Sequence, residues 1–186
     1  VAFTQRISDY NAFSQELQLT GTAFEDSLAY VLGAFYFDEQ TETVNPQTYF
    51  GGGVDLDSKY GSNTTAWAIY AQLDYDLTER LKLTLGGRYT RETKDISRFF
   101  RVNFDAANGI TSPLVVANLP YGAIPDAKFS DFSPAVTLSY AASDTINLYA
   151  RFAQGFKSGG FNGESNVFAA PTADCPSGAL ELCQPY

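Results

Sequence analysis

The chain has 186 residues, 21 acidic against 12 basic, for a net charge of −9; this argues against a nucleic-acid partner, whose phosphates call for clustered Lys and Arg. It contains no histidine, so Ser-His and Cys-His catalysis cannot be assembled from its own side chains, and zinc and non-haem iron lose their commonest ligand. It does not begin with methionine and has no run near the ~18 apolar residues of a membrane helix, so it reads as a mature or partial chain, with 15% aromatic residues, nearly all Tyr and Phe, suited to a lipid–water boundary.

Val1 to Asn11 has no clear period beyond a short strand over 3–7. Residues 12–22 alternate, with Phe13, Leu17 and Leu19 on one parity and Ser14, Glu16, Gln18 and Thr20 on the other, which predicts a strand with one apolar face. A turn over 23–26 leads into a strand over 27–39, apolar on both parities, so its outward face stays unassigned. Residues 40–63 are polar and carry Pro46, a run of three glycines at 51–53 and an Asp55-x-Asp57 pair, and are predicted as a loop.

Residues 64–77 give the clearest alternation, with Trp67, Ile69, Ala71, Leu73, Tyr75 and Leu77 against Gln72, Asp74 and Asp76. A helix cannot gather the first set on one face; a period of two does. A turn over 76–79 returns into a strand over 80–95, with Leu81, Leu83, Leu85, Gly87 and Tyr89 opposite Lys82, Thr84, Arg88 and Thr90. Residues 96–126 are predicted as a second long loop, holding Arg98-Phe99-Phe100-Arg101 and three prolines. A fifth strand follows over 127–141, where Pro134 predicts a bulge or a missing bond. A turn at 142–144 leads to a sixth strand over 145–157, with Ile146, Leu148, Ala150 and Phe152 outward, and residues 158–186 are irregular.

Strand, short turn, strand, long loop thus repeats three times. Sorting tight turns to one rim and long loops to the other is the pattern of an antiparallel, up-and-down transmembrane β-barrel; a soluble β-sandwich has no reason to sort its loops so. Backbone polar groups in hydrocarbon must all pair, so strands cross a membrane only as part of a closed barrel. Rings near strand ends (Phe13, Tyr36, Phe37, Trp67, Tyr75, Tyr89, Phe129, Tyr140, Phe156) are expected in the two interfacial girdles. Glu16, Asp74, Lys82, Arg88 and Arg151 are expected to face inward.

The segment from Tyr149 to Gly163, with Gly155, Phe156, Lys157, Ser158, Gly159, Gly160, Phe161 and Asn162 at its centre, resembles a signature of TonB-dependent outer-membrane receptors. Phe13–Leu19 is similar to that family's F-S-Q-E-L-R-L strand, Gly33–Phe37 to its G-x-F-Y-F strand, Leu81–Thr90 to its L-x-L-T-x-G-x-R-Y-T strand and Phe132–Pro134 to its F-S-P strand start, in the family's order. The resemblance implies an all-β barrel of the Gram-negative outer membrane, twenty-two-stranded in the family. About six of those strands would lie here, with residues 1–186 forming a partial barrel domain and no plug domain in the chain. It implies uptake, without chemical reaction, of a scarce nutrient ligand such as a ferric siderophore. The implied partners are outer-membrane lipid and the TonB complex, reached through the missing plug region. The alternatives are a structural or porin-like barrel without energy coupling, and a soluble sandwich binding carbohydrate.

Candidate ligand contacts are Arg98, Phe99, Phe100 and Arg101, where rings flanked by guanidinium groups suit an anionic, partly aromatic ligand, and Tyr49 and Phe50 on the first long loop. No catalytic, cofactor or metal residue is assigned. Asp55 and Asp57 lack the rest of a calcium loop, and the glycines at 155–163 lack the strand and helix of a nucleotide fingerprint. Cys175 and Cys183 read as a disulfide of an oxidising compartment, with two free thiols as the alternative.

Overall fold

The computed structural model describes residues 2–104, 114–124 and 126–163. They form one antiparallel sheet: β1 (Phe3–Thr4), β2 (Ile7–Ala23), β3 (Leu28–Val44), β4 (Gln47–Tyr49), β5 (Val54–Thr78), β6 (Leu81–Phe104), β7 (Leu114–Leu119), β8 (Ala127–Ser143) and β9 (Ile146–Ala153). The six long strands pair in chain order, β2–β3–β5–β6–β8–β9. The short ones extend them: β1 pairs with β4 above β2–β3, and β7 pairs with β6 above β8. The break at Gln5–Arg6 faces the break at Asn45–Pro46, and both are closed by backbone bonds, Gln5 N to Pro46 O (3.1 Å) and Asn45 N to Ser58 O (2.7 Å).

The three tight turns lie where the alternation stops, after β2, β5 and β8. The two long loops do not survive as predicted. β5 starts at Val54 and runs 25 residues, β6 runs 24 to Phe104, and β4 and β7 pair onto them. Crossing a bilayer needs only ~9–11 residues, so the upper halves of β5 and β6 rise roughly 35 Å beyond the aromatic rim. The outward face of that extension lacks the apolar stripe that marks the membrane span. Its ladder continues because backbone hydrogen bonding does not depend on the stripe.

Register fixes the faces. Tyr36, Trp67, Arg91 and Ser130 are cross-strand partners in one row, on the face carrying Leu32, Ile69, Leu73, Leu85, Val136, Leu138 and Leu148. These large apolar side chains are exposed, which suits acyl chains as the solvent. The outward face of β3 is therefore Leu32, Ala34 and Tyr36. Phe37 pairs with Ser14 and Ala66, and Phe129 with Glu92, so both point inward and leave the predicted girdle. Phe156 lies past the end of β9 and leaves it too.

Of the other predicted rings, Phe13, Tyr36, Trp67 and Tyr89 line up, joined by Phe132, with Phe13–Tyr36 and Trp67–Tyr89 centroids 6.4 and 5.7 Å apart, while Tyr75 and Tyr140 lie on the same face nearer the tight turns. Phe13 lies two residues above the Tyr36 row on β2 and Phe132 two below it on β8. At ~3.4 Å per residue and ~4.8 Å per strand, that drift over four strand spacings is a tilt of about 35°, within the range of membrane barrels.

Pro134 brings no bulge, since the β6–β8 register runs straight through its pairing with Gly87. Its carbonyl accepts from Gln154 N (3.0 Å), so its donorless nitrogen faces β9, where the ladder ends at Ala135–Ala153. The sixth strand thus stops at Ala153, short of the predicted Lys157.

Candidate functional site on the inner wall

The inward face of β2, β3, β5 and β6 carries a polar–aromatic network at mid-height. Gln18 Nε2 donates to Tyr70 OH (2.6 Å) and to Glu16 Oε1 (3.2 Å), and Tyr70 OH donates to Glu16. Arg88 stands over the rings of Phe35 and Tyr70, with centroid distances of 5.4 and 5.9 Å, and its Nε donates to Thr90 Oγ1 (3.1 Å). The Tyr70 ring lies flat over its cross-strand partner Gly33, where any Cβ would overlap it. Nearer the tight turns Asp74 accepts from Thr84 and Gln72, and Lys82 pairs with Asp76 at 3.3 Å. The predicted inward charges Glu16, Asp74, Lys82 and Arg88 thus find partners on the wall itself.

Residues 154–163 leave the sheet after β9 and cross the inner wall over β6 and β5. Lys94 Nζ donates to Gly159 O (2.8 Å) and Ser158 Oγ (3.1 Å) and pairs with Glu92 Oε1 (2.8 Å); Ser158 Oγ also donates to Glu92 Oε1 (2.8 Å). Phe161 packs against a cluster of Ile96, Phe100, Val102, Ala117, Leu119 and Ile124 on the same face, and Gly163 meets Tyr60, whose ring a Cβ would touch at 2.6 Å. The signature Gly155 to Asn162 is therefore a strap across the wall rather than a strand end. Gly163, just past it, lets the backbone approach the Tyr60 ring closely, whereas a Cβ at Gly155 would stand in open space. Glu92 and Lys94 were not among the sequence candidates; their shared inward parity on β6 was the available signal.

The predicted aromatic–guanidinium cluster does not converge. Arg98 to Arg101 lie within β6 rather than in a loop, so alternation sends Arg98 and Phe100 inward and Phe99 and Arg101 outward. Arg98 is 4% exposed and donates to Ser58 Oγ (2.7 Å) and Lys59 O (3.2 Å), with its guanidinium over Phe100. Arg101 Nε donates to Asp57 Oδ2 (2.9 Å), which also accepts from Asn103. Tyr49 and Phe50 do meet, at the tip of the β4–β5 hairpin: ring centroids are 6.5 Å apart, Tyr49 OH donates to Gln47 Oε1 (2.7 Å), and Phe50 is 83% exposed with φ of 54°. Cys175 and Cys183 lie outside the described residues. The wall offers stacking faces, guanidinium groups and hydroxyls to a ligand.

Comparison with known proteins agrees with this geometry. The family model described as TonB-dependent receptor-like, beta-barrel, matches residues 2–179. Among solved structures, the chain is similar to the ferric yersiniabactin uptake receptor FyuA from Yersinia pestis, with a TM-score of 0.69 and 17% identity over 87% of this chain. It spans 23% of that receptor's length. At that identity the likeness is one of fold: an antiparallel sheet forming part of a receptor barrel wall. The family match covers nearly the whole chain, and with it the chain belongs to the TonB-dependent receptor-like β-barrel family.

Proposed function

We propose that this chain is a wall segment of a Gram-negative outer-membrane receptor that imports a scarce nutrient, such as a ferric siderophore, with energy relayed by TonB to a plug domain carried elsewhere in the receptor. The observation that carries this reading is the two-faced sheet. An exposed apolar, ring-bordered face lies on one side, and a wall of Tyr70, Arg88, Glu16 and Phe35 crossed by the 154–163 strap lies on the other. A membrane protein with no business in its lumen has little use for such a wall; a receptor uses it to seat a plug and to pass a ligand. The named function of FyuA supports the nutrient class.

Of the sequence candidates, Tyr49 and Phe50 are retained as first-contact rings, because they sit exposed at a hairpin tip. Arg98 and Arg101 are already engaged by Ser58 and Asp57. The test is uptake of radiolabelled ferric siderophores by an iron-starved strain carrying or lacking the full-length receptor, with and without TonB. Accumulation that needs both is expected. Accumulation that needs the receptor but not TonB would support a porin-like barrel instead, and no dependence on the receptor for any nutrient would sink the proposal.

A further inference from the structure

The outward face carries two cations side by side just above the aromatic rim. Arg91 follows Tyr89 by two residues on β6, and its cross-strand partners are Trp67 and Ser130; Lys128 lies two residues above Ser130 on β8, diagonal to Arg91. Diagonal neighbours in a sheet stand ~7–8 Å apart. Arg91, Lys128 and Ser130 are all exposed. Neither cation forms an ion pair with a described residue. The nearby outward carboxylates do not serve them: Asp95 accepts from the backbone nitrogens of Ile96 and Gly122, and Asp38 accepts from Thr65. Asp126 stands exposed two residues beyond Lys128. Two neighbouring like charges repel unless an anion sits between them, and this pair occurs on a chain of net charge −9.

Directly below, the same face is hollowed. Ala34 and Ala71 form the floor of a groove of about 620 Å³, walled by Leu32, Ile69 and the ring of Phe132, which lies over Gly87. Gly87 and Arg91 are four residues apart on β6, about 14 Å along the strand. Cationic groups at headgroup level therefore stand over an apolar channel at acyl-chain level.

We propose that Arg91 and Lys128 bind the phosphate of an anionic lipid of the outer leaflet, with Ser130 and Thr93 at the same headgroup level and one acyl chain of the lipid in the Ala34–Ala71 groove beside the Phe132 ring. The site rests on the outer-membrane placement proposed above and is independent of what the receptor imports.

The test uses the full-length receptor purified from outer membranes in non-ionic detergent, with bound lipid counted by native mass spectrometry. The probes are lipid A bearing two phosphates, the same lipid A enzymatically dephosphorylated, and phosphatidylethanolamine. Retention of the bisphosphorylated form over the other two is expected. Arg91→Gln/Lys128→Gln should lower its occupancy about tenfold, and each single change about threefold. Ala71→Phe, which fills the groove and leaves both cations, should lower it severalfold. Gel mobility with and without boiling verifies that each variant is folded. Equal retention by the double variant and the wild-type receptor, or equal retention of all three lipids, overturns the site while leaving the outer-membrane placement intact. A receptor absent from the outer-membrane fraction overturns the placement itself.

Discussion

Tyr70 shows how one side chain sets the inner wall. Its ring needs the bare backbone of Gly33 beneath it, and its hydroxyl reaches over β3 to both Gln18 and Glu16 on β2. Gly33→Ala should push the ring off and cost about 1–3 kcal/mol, the range of overpacked sites. Tyr70→Ser should relieve most of that cost in the double variant, measured as urea midpoints of the full-length receptor in micelles. Additive costs would show that the ring is not what Gly33 accommodates. The strap depends in the same way on Glu92 and Lys94, which share Ser158 and are about four-fifths buried. Glu92→Gln and Lys94→Met should couple by roughly 1 kcal/mol in a double-mutant cycle, since each leaves the other with an unsatisfied partner. No coupling would reduce the strap to a loop lying on the wall. At this scale the sequence was legible only by type. The residues of Arg98–Arg101 were visible, but their convergence was inferred from adjacency, and adjacency in a strand places neighbours on opposite faces.

For a whole strand the decisive quantity is which parity meets lipid. On β5, Leu73 is exposed on the outward face and its neighbour Gln72 lies on the inward one. Leu73→Arg puts a charge near mid-membrane and should destabilise by about 2–4 kcal/mol, whereas Gln72→Arg should cost well under 1 kcal/mol because the inner wall is polar. Chaperone-free refolding into lipid vesicles, titrated with urea, measures both. Equal costs would mean that the faces have been exchanged. The six crossing strands were legible because lipid on one side and water on the other force a period of two. Their continuation above the membrane, in 54–63 and 96–104, was not. Water rather than lipid meets the outward face there, so Asp57, Lys59, Ser97 and Arg101 make no apolar stripe, and the apolar residues Ile96, Phe100 and Val102 turn inward with Arg98 between them. Phe37 differs: on a strand apolar on both parities, a ring near the rim carries no label of its face until register supplies one, whereas Phe129 shares the parity of Asp131, Ser133 and Thr137 and its inward face was legible.

Across the molecule the open question is closure. Among the described residues β2 and β9 each pair on one side only. A strand edge facing hydrocarbon leaves every second residue's N–H and C=O unpaired, at several kcal/mol per group. Over the eight residues of β9 alone that exceeds the 5–15 kcal/mol by which a folded protein is ordinarily stable. Joining β2 to β9 directly is no remedy. At a 35° tilt six strands cover only about 35 Å of arc, which would close into a cylinder ~11 Å across. That leaves no room for the inward rings of Phe35, Phe37, Tyr70 and Phe129 or for the strap that crosses them. The sheet therefore needs further strands at both edges before it can sit in a bilayer. Expressed by itself with an export signal, the 186-residue chain should fail to give a folded species whose gel mobility changes on boiling. Co-expression with the remainder of its barrel should restore one. A protease-resistant monomer of the isolated chain in lipid vesicles would show that the two edges find partners by a route the register does not contain.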